Sequence, residues 1–357
     1  MPRPIRATIS AGALQRNLHV AKAHAKSAKV WAVLKANAYG HGLERAARAL
    51  AAADGFAVLD FQEAVRLRVA GVTKPILMLE GFFKAVDVGQ LHKYQLTPVI
   101  HNPEQLEILK HTKLDGEIDA YLKVNSGMNR LGFNAESLRP AYNALRMHPQ
   151  VKSLTMMSHF ADADGPSGIQ AQLGWFNDLT KPFEVKQRSL ANSAALLRFP
   201  EARGDWVRPG IMLYGCSPFA DQSAEQLGLK PVMTLTSELI ATHHLQAGER
   251  VGYGFGYTAA GEMTIGIIAC GYGDGYPRHA STGTPVLVNG KRVRMVGRVS
   301  MDMIAVDITD VPDAYIGSPV TLWGEGLSAD EIGAAADTLS YELLCKLTAR
   351  VPVAEVA

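Results

Sequence analysis

Short runs of consecutive apolar residues alternate with stretches of helical spacing through the first two thirds of the chain. The runs are 30–34, 56–59, 76–79, 97–100, 120–124, 154–158, 188–191 and 210–214. Strands buried on both faces read this way, because neither face meets water. Between them, 43–53 is alanine-rich and stops at Gly55. Asn102-Pro103-Glu104 combines an N-cap, a proline at the first helical position and an acidic first turn. Leu138, Tyr142 and Leu145 recur at helical spacing. Eight strands separated by helices fit the roughly 200–250 residues of a (β/α)8 TIM-type barrel. Pro209 and Gly210 interrupt the pattern at the last strand.

Beyond Met233 the texture changes. The runs 234–240, 264–269, 285–288, 293–296, 304–308 and 319–322 are β-rich and mostly lack helical spacing between them. Asn289-Gly290, between two of these runs, is a hairpin signal, since both turn positions require positive φ. The expected organisation is an α/β barrel over residues 1–233 followed by a mostly β C-terminal domain over 234–357. Residues 6–10, ahead of a helix expected over 11–28, form a strand serving either domain.

Composition changes this picture little. The 357 residues suit about two domains at ~150 residues each. With 47% hydrophobic and 20% charged residues the chain can bury a large core, and a net charge of +2 offers no electrostatic reason for nucleic acid or a membrane surface as partner. Cys216, Cys270 and Cys345 are widely spaced and form no CxxC pair, so neither a metal site nor a disulfide framework is expected. No leader-like or membrane-spanning apolar run is present, and a cytoplasmic location is expected.

Catalytic groups in such a barrel stand at the C-terminal ends of the strands. The first strand runs directly into Lys35, where partial desolvation would favour the free amine, a nucleophile. Taken alone, Lys35 fits a solvated strand end as well. Tyr39, His41 and two glycines follow at once, a loop suited to close approach of a ligand.

The segment Val33 to Gly42 resembles the cofactor-lysine motif of the alanine racemases, barrel enzymes dependent on pyridoxal phosphate (PLP). Further similarities run in the same order along nearly the whole chain: residues 122–132 (LKVNSGMNRLG), 158–161 (SHFA), 192–195 (NSAA), 207–211 (VRPGI), 252–254 (GYG), 271–276 (GYGDGY), 297–302 (GRVSMD) and 340–342 (SYE). The resemblance is strongest to the proteobacterial catabolic branch. Gly273 stands where the family also commonly carries alanine.

The resemblance implies that Lys35 carries PLP and moves the α-proton of alanine on one face, with Tyr253 as the second acid/base on the other. A phenol is a poor base unless a cationic neighbour favours its ionised form, and His159, in contact with Arg208, is the expected neighbour. Arg208 would face the pyridine nitrogen; lacking an acceptor lone pair, it would leave that nitrogen unprotonated and the electron sink weak, which suits racemisation. Tyr39, Tyr341, the Ser193 hydroxyl and the Gly210 and Ile211 amides match the family's phosphate contacts. Arg130 and the Met301 amide would take the substrate carboxylate. Lys123 matches a lysine that some members carry as a carbamate, an anion that would orient Arg130. Asp164, Tyr272, Arg278 and Arg298 match entrance-corridor positions. A head-to-tail homodimer with shared active sites is implied as well.

Two alternatives make different demands. A barrel-fold PLP decarboxylase calls for an acid at the pyridine nitrogen and a cysteine/aspartate pair in the β domain. A non-enzymatic PLP-binding protein has no use for the residues after Met233. Gly252 to Gly256 is not a dinucleotide fingerprint, since no helical pattern follows. His243-His244 reads as a solvated pair beside a turn.

Overall fold

A computed structural model describes residues 3–357. Eight parallel strands close into a barrel: Lys29–Val33, Gly55–Val58, Ile76–Met78, Leu96–Ile100, Ile118–Lys123, Val151–Met157, Gln187–Ser189 and Trp206–Val207. Lys29 and Val30 pair with Trp206 and Val207 to complete the ring. The Trp31 ring stacks on Trp206 with centroids 4.2 Å apart, and its indole N–H donates to the Tyr121 hydroxyl at 2.9 Å. Gly55 makes this possible: a Cβ there would lie 2.2 Å from the Trp31 ring. The helices begin where polar side chains cap them. Asn102 accepts from the Gln105 amide ahead of Pro103–His111, and Asn134 accepts from the Ser137 amide ahead of Ala135–Met147. The second of these buries Leu138 and Leu145 against the barrel, about 1.5–3 kcal/mol for each leucine.

Two expected elements differ. The run 210–214 is a 3₁₀ turn, Ile211–Tyr214, and the eighth strand lies earlier, at Trp206–Val207. Pro209 has no N–H to extend a ladder, and the Gly210 amide donates instead to the Ser193 hydroxyl at 2.9 Å. An apolar run buried on every side does not distinguish strand from helical turn. The first helix, Ala11–Ala25, ends earlier than 28 because Lys26 takes a positive φ of 58°.

The second sheet has eight strands, in the order Met263–Ile268, Ile304–Asp307, Lys291–Val296, Pro285–Val288, Pro319–Trp323, Met233–Leu245, Arg6–Ser10 and Val353–Val356. The long strand Met233–Leu245 carries a register shift at Leu239/Ala241, and beyond it pairs with Met263–Ile268, curling the sheet onto itself. Arg6–Ser10 lies antiparallel to that long strand. Asn289 and Gly290 adopt φ of 50° and 75° at the hairpin tip. A main core runs without a break from the barrel into this sheet, while Val251, Ala259, Met263, Ile265 and Val296 form a small separate cluster beneath the 252–256 loop.

Candidate active site

Several barrel strands deliver a functional side chain at or just past their C-terminal ends: Lys35, Glu80, Lys123, His159 and Arg208. They line one cavity of about 480 Å³, within the ~300–1,000 Å³ usual for ligand sites. Tyr39, Arg130, Asp164, Ser193, Gly210, Ile211 and Tyr341 line it as well. Burial, and then Arg130, push the Lys35 amine below its ordinary basicity, while Glu80 partly opposes them. The neutral, nucleophilic form is favoured.

The turn after Lys35 is unusual. Ala36, Asn37, Ala38 and Tyr39 have φ between 51° and 56°, one left-handed turn built without glycine. Such geometry costs roughly 1–2 kcal/mol per residue, so the surroundings must hold it. The Asn37 amide donates to Glu63 Oε1 at 2.8 Å, and Asn37 Oδ1 accepts from the Leu43 amide at 3.0 Å. His41 Nδ1 lies 2.9 Å from the Tyr39 carbonyl and 3.0 Å from that of Ala38 and donates to them. Burial keeps His41 neutral, its pKa pushed down to about 4. This turn brings the Tyr39 hydroxyl beside Gly210, where a Cβ would come within 2.5 Å of it.

Arg208 is buried and spends its donors locally: Nη1 on the Ser189 hydroxyl at 2.7 Å, Nη2 on the Ser158 and Leu190 carbonyls at 2.7 and 3.1 Å. Burial lowers its pKa to about 10, which leaves it cationic at neutral pH. Nη2 also lies 3.5 Å from His159 Nδ1. Burial holds His159 well below its ordinary pKa, and Arg208, Lys123, Arg130 and Lys35 add to the effect. This corrects the expectation of a cationic His159: burial among basic side chains keeps it neutral. Burial, then Arg208 and Arg130, bring Lys123 down to about 8. Burial raises the pKa of both Tyr39 and Tyr341, so their hydroxyls remain protonated donors.

Sequence reasoning missed Glu80. No motif marks it, although a carboxylate two residues past the strand Ile76–Met78 obeys the same strand-end rule that singled out Lys35. It also missed Glu63, which stands outside the cavity and acts on the left-handed turn.

Tyr253, Met301, Tyr272, Arg278 and Arg298 do not line the cavity of their own chain. They stand on exposed loops of the second sheet, with Tyr253 73% and Met301 51% exposed. Arg298 packs beneath Gly254 and Gly256, and the Arg278 guanidinium lies 6.0 Å from the Tyr272 ring centre. Among the described residues, no group of three or more His, Cys, Asp or Glu side chains could hold a metal ion. Nor is any helix long and apolar enough to cross a membrane.

PLP fits the cavity. A desolvated lysine amine, protonated hydroxyls beside two main-chain amides, and a buried cation with no lone pair suit its aldehyde, its phosphate and its ring nitrogen. At the mouth of a parallel barrel, this set defines a barrel enzyme of the PLP-dependent class. The models of the families described as "Alanine racemase, N-terminal domain" and "Alanine racemase, C-terminal domain" match residues 9–218 and 232–354. The chain is 53% identical to the alanine racemase of Nitrosospira multiformis over 98% of this chain and 99% of that one. It is 52% identical to the catabolic alanine racemase of Salmonella typhimurium, over 99% of each. The crystal structure of a biosynthetic alanine racemase from Pseudomonas aeruginosa superposes with a TM-score of 0.97 at 47% identity, covering 99% of this chain and 100% of that one. The chain belongs to the alanine racemase family, whose members depend on PLP.

Proposed function

We propose that this protein interconverts L- and D-alanine, with Lys35 and Tyr253 moving the α-proton on opposite faces. PLP, when bound, supplies the electron sink that makes that proton labile. The observation that carries the proposal is the pairing of a desolvated Lys35 with Arg208 at the strand ends of a member of this family. Arg208 stands where a decarboxylase of this fold would need an acid. Its donors would leave the ring nitrogen unprotonated, so the carbanion would be short-lived and return to the same carbon. Tyr39, Tyr341, Ser193 and the amides of Gly210 and Ile211 would take the phosphate. Arg130 and the Met301 amide would take the substrate carboxylate, and Asp164, Tyr272, Arg278 and Arg298 would line the approach.

Tyr253 stands outside the cavity of its own chain, so a second copy would supply it. We propose a head-to-tail homodimer in which the second sheet of each protomer closes the other's barrel. Such an interface would cover the exposed Tyr253, Phe255, Tyr272, Met301 and Met303. A phenol brought there would meet Arg130, Arg208 and Lys123, which favour phenolate. Because arginine only donates, the His159 nitrogen facing Arg208 accepts, and the ring proton sits on Nε2, a donor suited to that phenolate. We divide the chain at 233/234, with residues 6–10 joined to the second domain, and place it in the cytoplasm, where the free Cys216, Cys270 and Cys345 would stay reduced. The deciding test is purified protein plus PLP incubated with L-alanine in deuterated water. D-alanine bearing α-deuterium is expected; unchanged, unlabelled L-alanine would refute the proposal.

A further inference from the structure

A carboxylate with no exposed surface, Asp274, sits between the two loops that carry Tyr272 and Met301. Its Oδ2 accepts from the Gly271 amide at 3.0 Å and closes the turn Tyr272–Asp274. That bond alone calls for no charge, since a serine or asparagine would serve. Oδ1, however, takes Arg3 Nη1 at 2.7 Å, and Arg350 Nε lies 3.4 Å from it. Both guanidiniums then reach across to the residue after Met301. Arg350 Nη2 donates to Asp302 Oδ1 at 2.6 Å, and Arg3 Nη2 donates to the Asp302 carbonyl at 2.8 Å. The two loops also join directly, the Tyr272 amide to the Ser300 carbonyl at 3.0 Å and the Gly273 amide to that of Met301 at 2.9 Å. Gly273 makes room for the arrangement, because a Cβ there would lie 2.3 Å from Arg350 Nη1.

A buried charge is costly unless it is paired, and here the paired forks hold Asp302 on one side of Met301, while the Tyr272 amide, in the turn that Asp274 closes, holds the Ser300 carbonyl on the other. A main-chain donor has no rotamer to adjust, so the peptide planes around it decide where it points. We propose that Asp274, with Arg350 and Arg3, forms a positioning set that aims the Met301 amide at the substrate carboxylate. The inference rests on the role given to that amide under Proposed function.

The test uses the full-length holoenzyme carrying Arg350→Met or Asp302→Asn. Propionate, a carboxylate without a reactive amine, is titrated against the visible absorbance of the bound cofactor. Misplacing a positioning group by about 1 Å costs up to ~100-fold, so a rise of about tenfold is expected in the propionate Kd and in the KM of both enantiomers. PLP affinity should hold and kcat should stay within about twofold, since Lys35 is untouched. Arg350→Lys, which keeps the charge without the fork, should leave most of the rise in place. Asp302→Asn alters an exposed side chain and decides the matter if Arg350→Met fails to fold. A wild-type propionate Kd in a folded variant overturns the inference, even where the melting temperature falls, because that pattern marks mere scaffolding. Mixing inactive Lys35→Ala and Tyr253→Phe chains separates the two failures. If mixing restores activity while the propionate Kd is unaltered, only the positioning set is wrong. If it restores nothing, the underlying site is wrong and the inference goes with it.

Discussion

Replacing Gly210 with alanine places a methyl carbon 2.5 Å from the Tyr39 hydroxyl and 3.3 Å from the ring carbon that bears it. Relieving the first contact requires a shift of about 1 Å. Tyr39 has little room to yield, because its ring lies 4.6 Å from Tyr214 and its backbone is locked in the left-handed turn capped by His41. The φ of −119° at Gly210 lies outside the left-handed region, so the contact with Tyr39 carries the argument. Either the hydroxyl or the Gly210 and Ile211 amides must move, and one hydrogen bond to the cofactor's phosphate is lost. A bond to a charged group contributes about 1.5–3 kcal/mol, which corresponds to roughly 10- to 150-fold weaker PLP binding. Equilibrium titration of apoenzyme with PLP measures this, and kcat at saturating PLP should change far less. If the methyl acts through the hydroxyl, adding Gly210→Ala to Tyr39→Phe should cost much less than adding it to wild type. A folded Gly210→Ala variant with PLP affinity within about twofold of wild type would refute the steric reasoning.

Three further predictions follow from the same geometry. Lys35→Ala and Tyr253→Phe chains, re-paired at random, should recover roughly a quarter of wild-type activity, since half the dimers are mixed and half their sites carry neither change. Parental activity despite demonstrated heterodimers would sink the shared site. Arg208→Glu should protonate the cofactor's ring nitrogen, so racemisation falls while side transamination, read as pyruvate from alanine, rises; an unchanged ratio of the two would show that residue 208 does not face that nitrogen. Lys123, with its pKa near 8, should form a carbamate through its free amine. In ¹³C-labelled bicarbonate its carbamate signal should grow as pH rises through about 8 and fade below it, and a spectrum with no such signal at pH 9 removes the assignment.

Lys35 was legible because a strand buried on both faces has one simple signature, and the first polar residue after it must stand at the barrel mouth. The same rule, applied evenly, would have found Glu80. The left-handed turn was not legible. Alanine offers no local reason to adopt positive φ and one asparagine only a mild one; of the groups that hold the turn, His41 caps it from two and three residues away, while Glu63 acts through a tertiary contact. The run 210–214 misled for the opposite reason: Ile211 to Tyr214 are apolar because they are buried, and burial does not select a backbone conformation. The charge of His159 lay furthest out of reach. An isolated histidine titrates near neutrality, and only folding makes it neutral, by burying it first and by gathering Arg208, Lys123, Arg130 and Lys35 around it second.

That neutrality bears on Tyr253. With His159 uncharged, four basic side chains line the cavity against two carboxylates, Glu80 and Asp164. With Lys35 favoured as the free amine, the charge is carried by Lys123, Arg130 and Arg208, and a cofactor phosphate held as proposed by Tyr39, Ser193 and Gly210 would offset part of it. Arg130 and Lys123 would then remain to face a substrate carboxylate. A tyrosine supplied by a second copy would face this group of basic side chains together, and no single imidazolium is required. Acid/base strength at the second face is on this account a property of the assembled cavity. It would be absent from an isolated protomer, whose own Tyr253 remains in solvent.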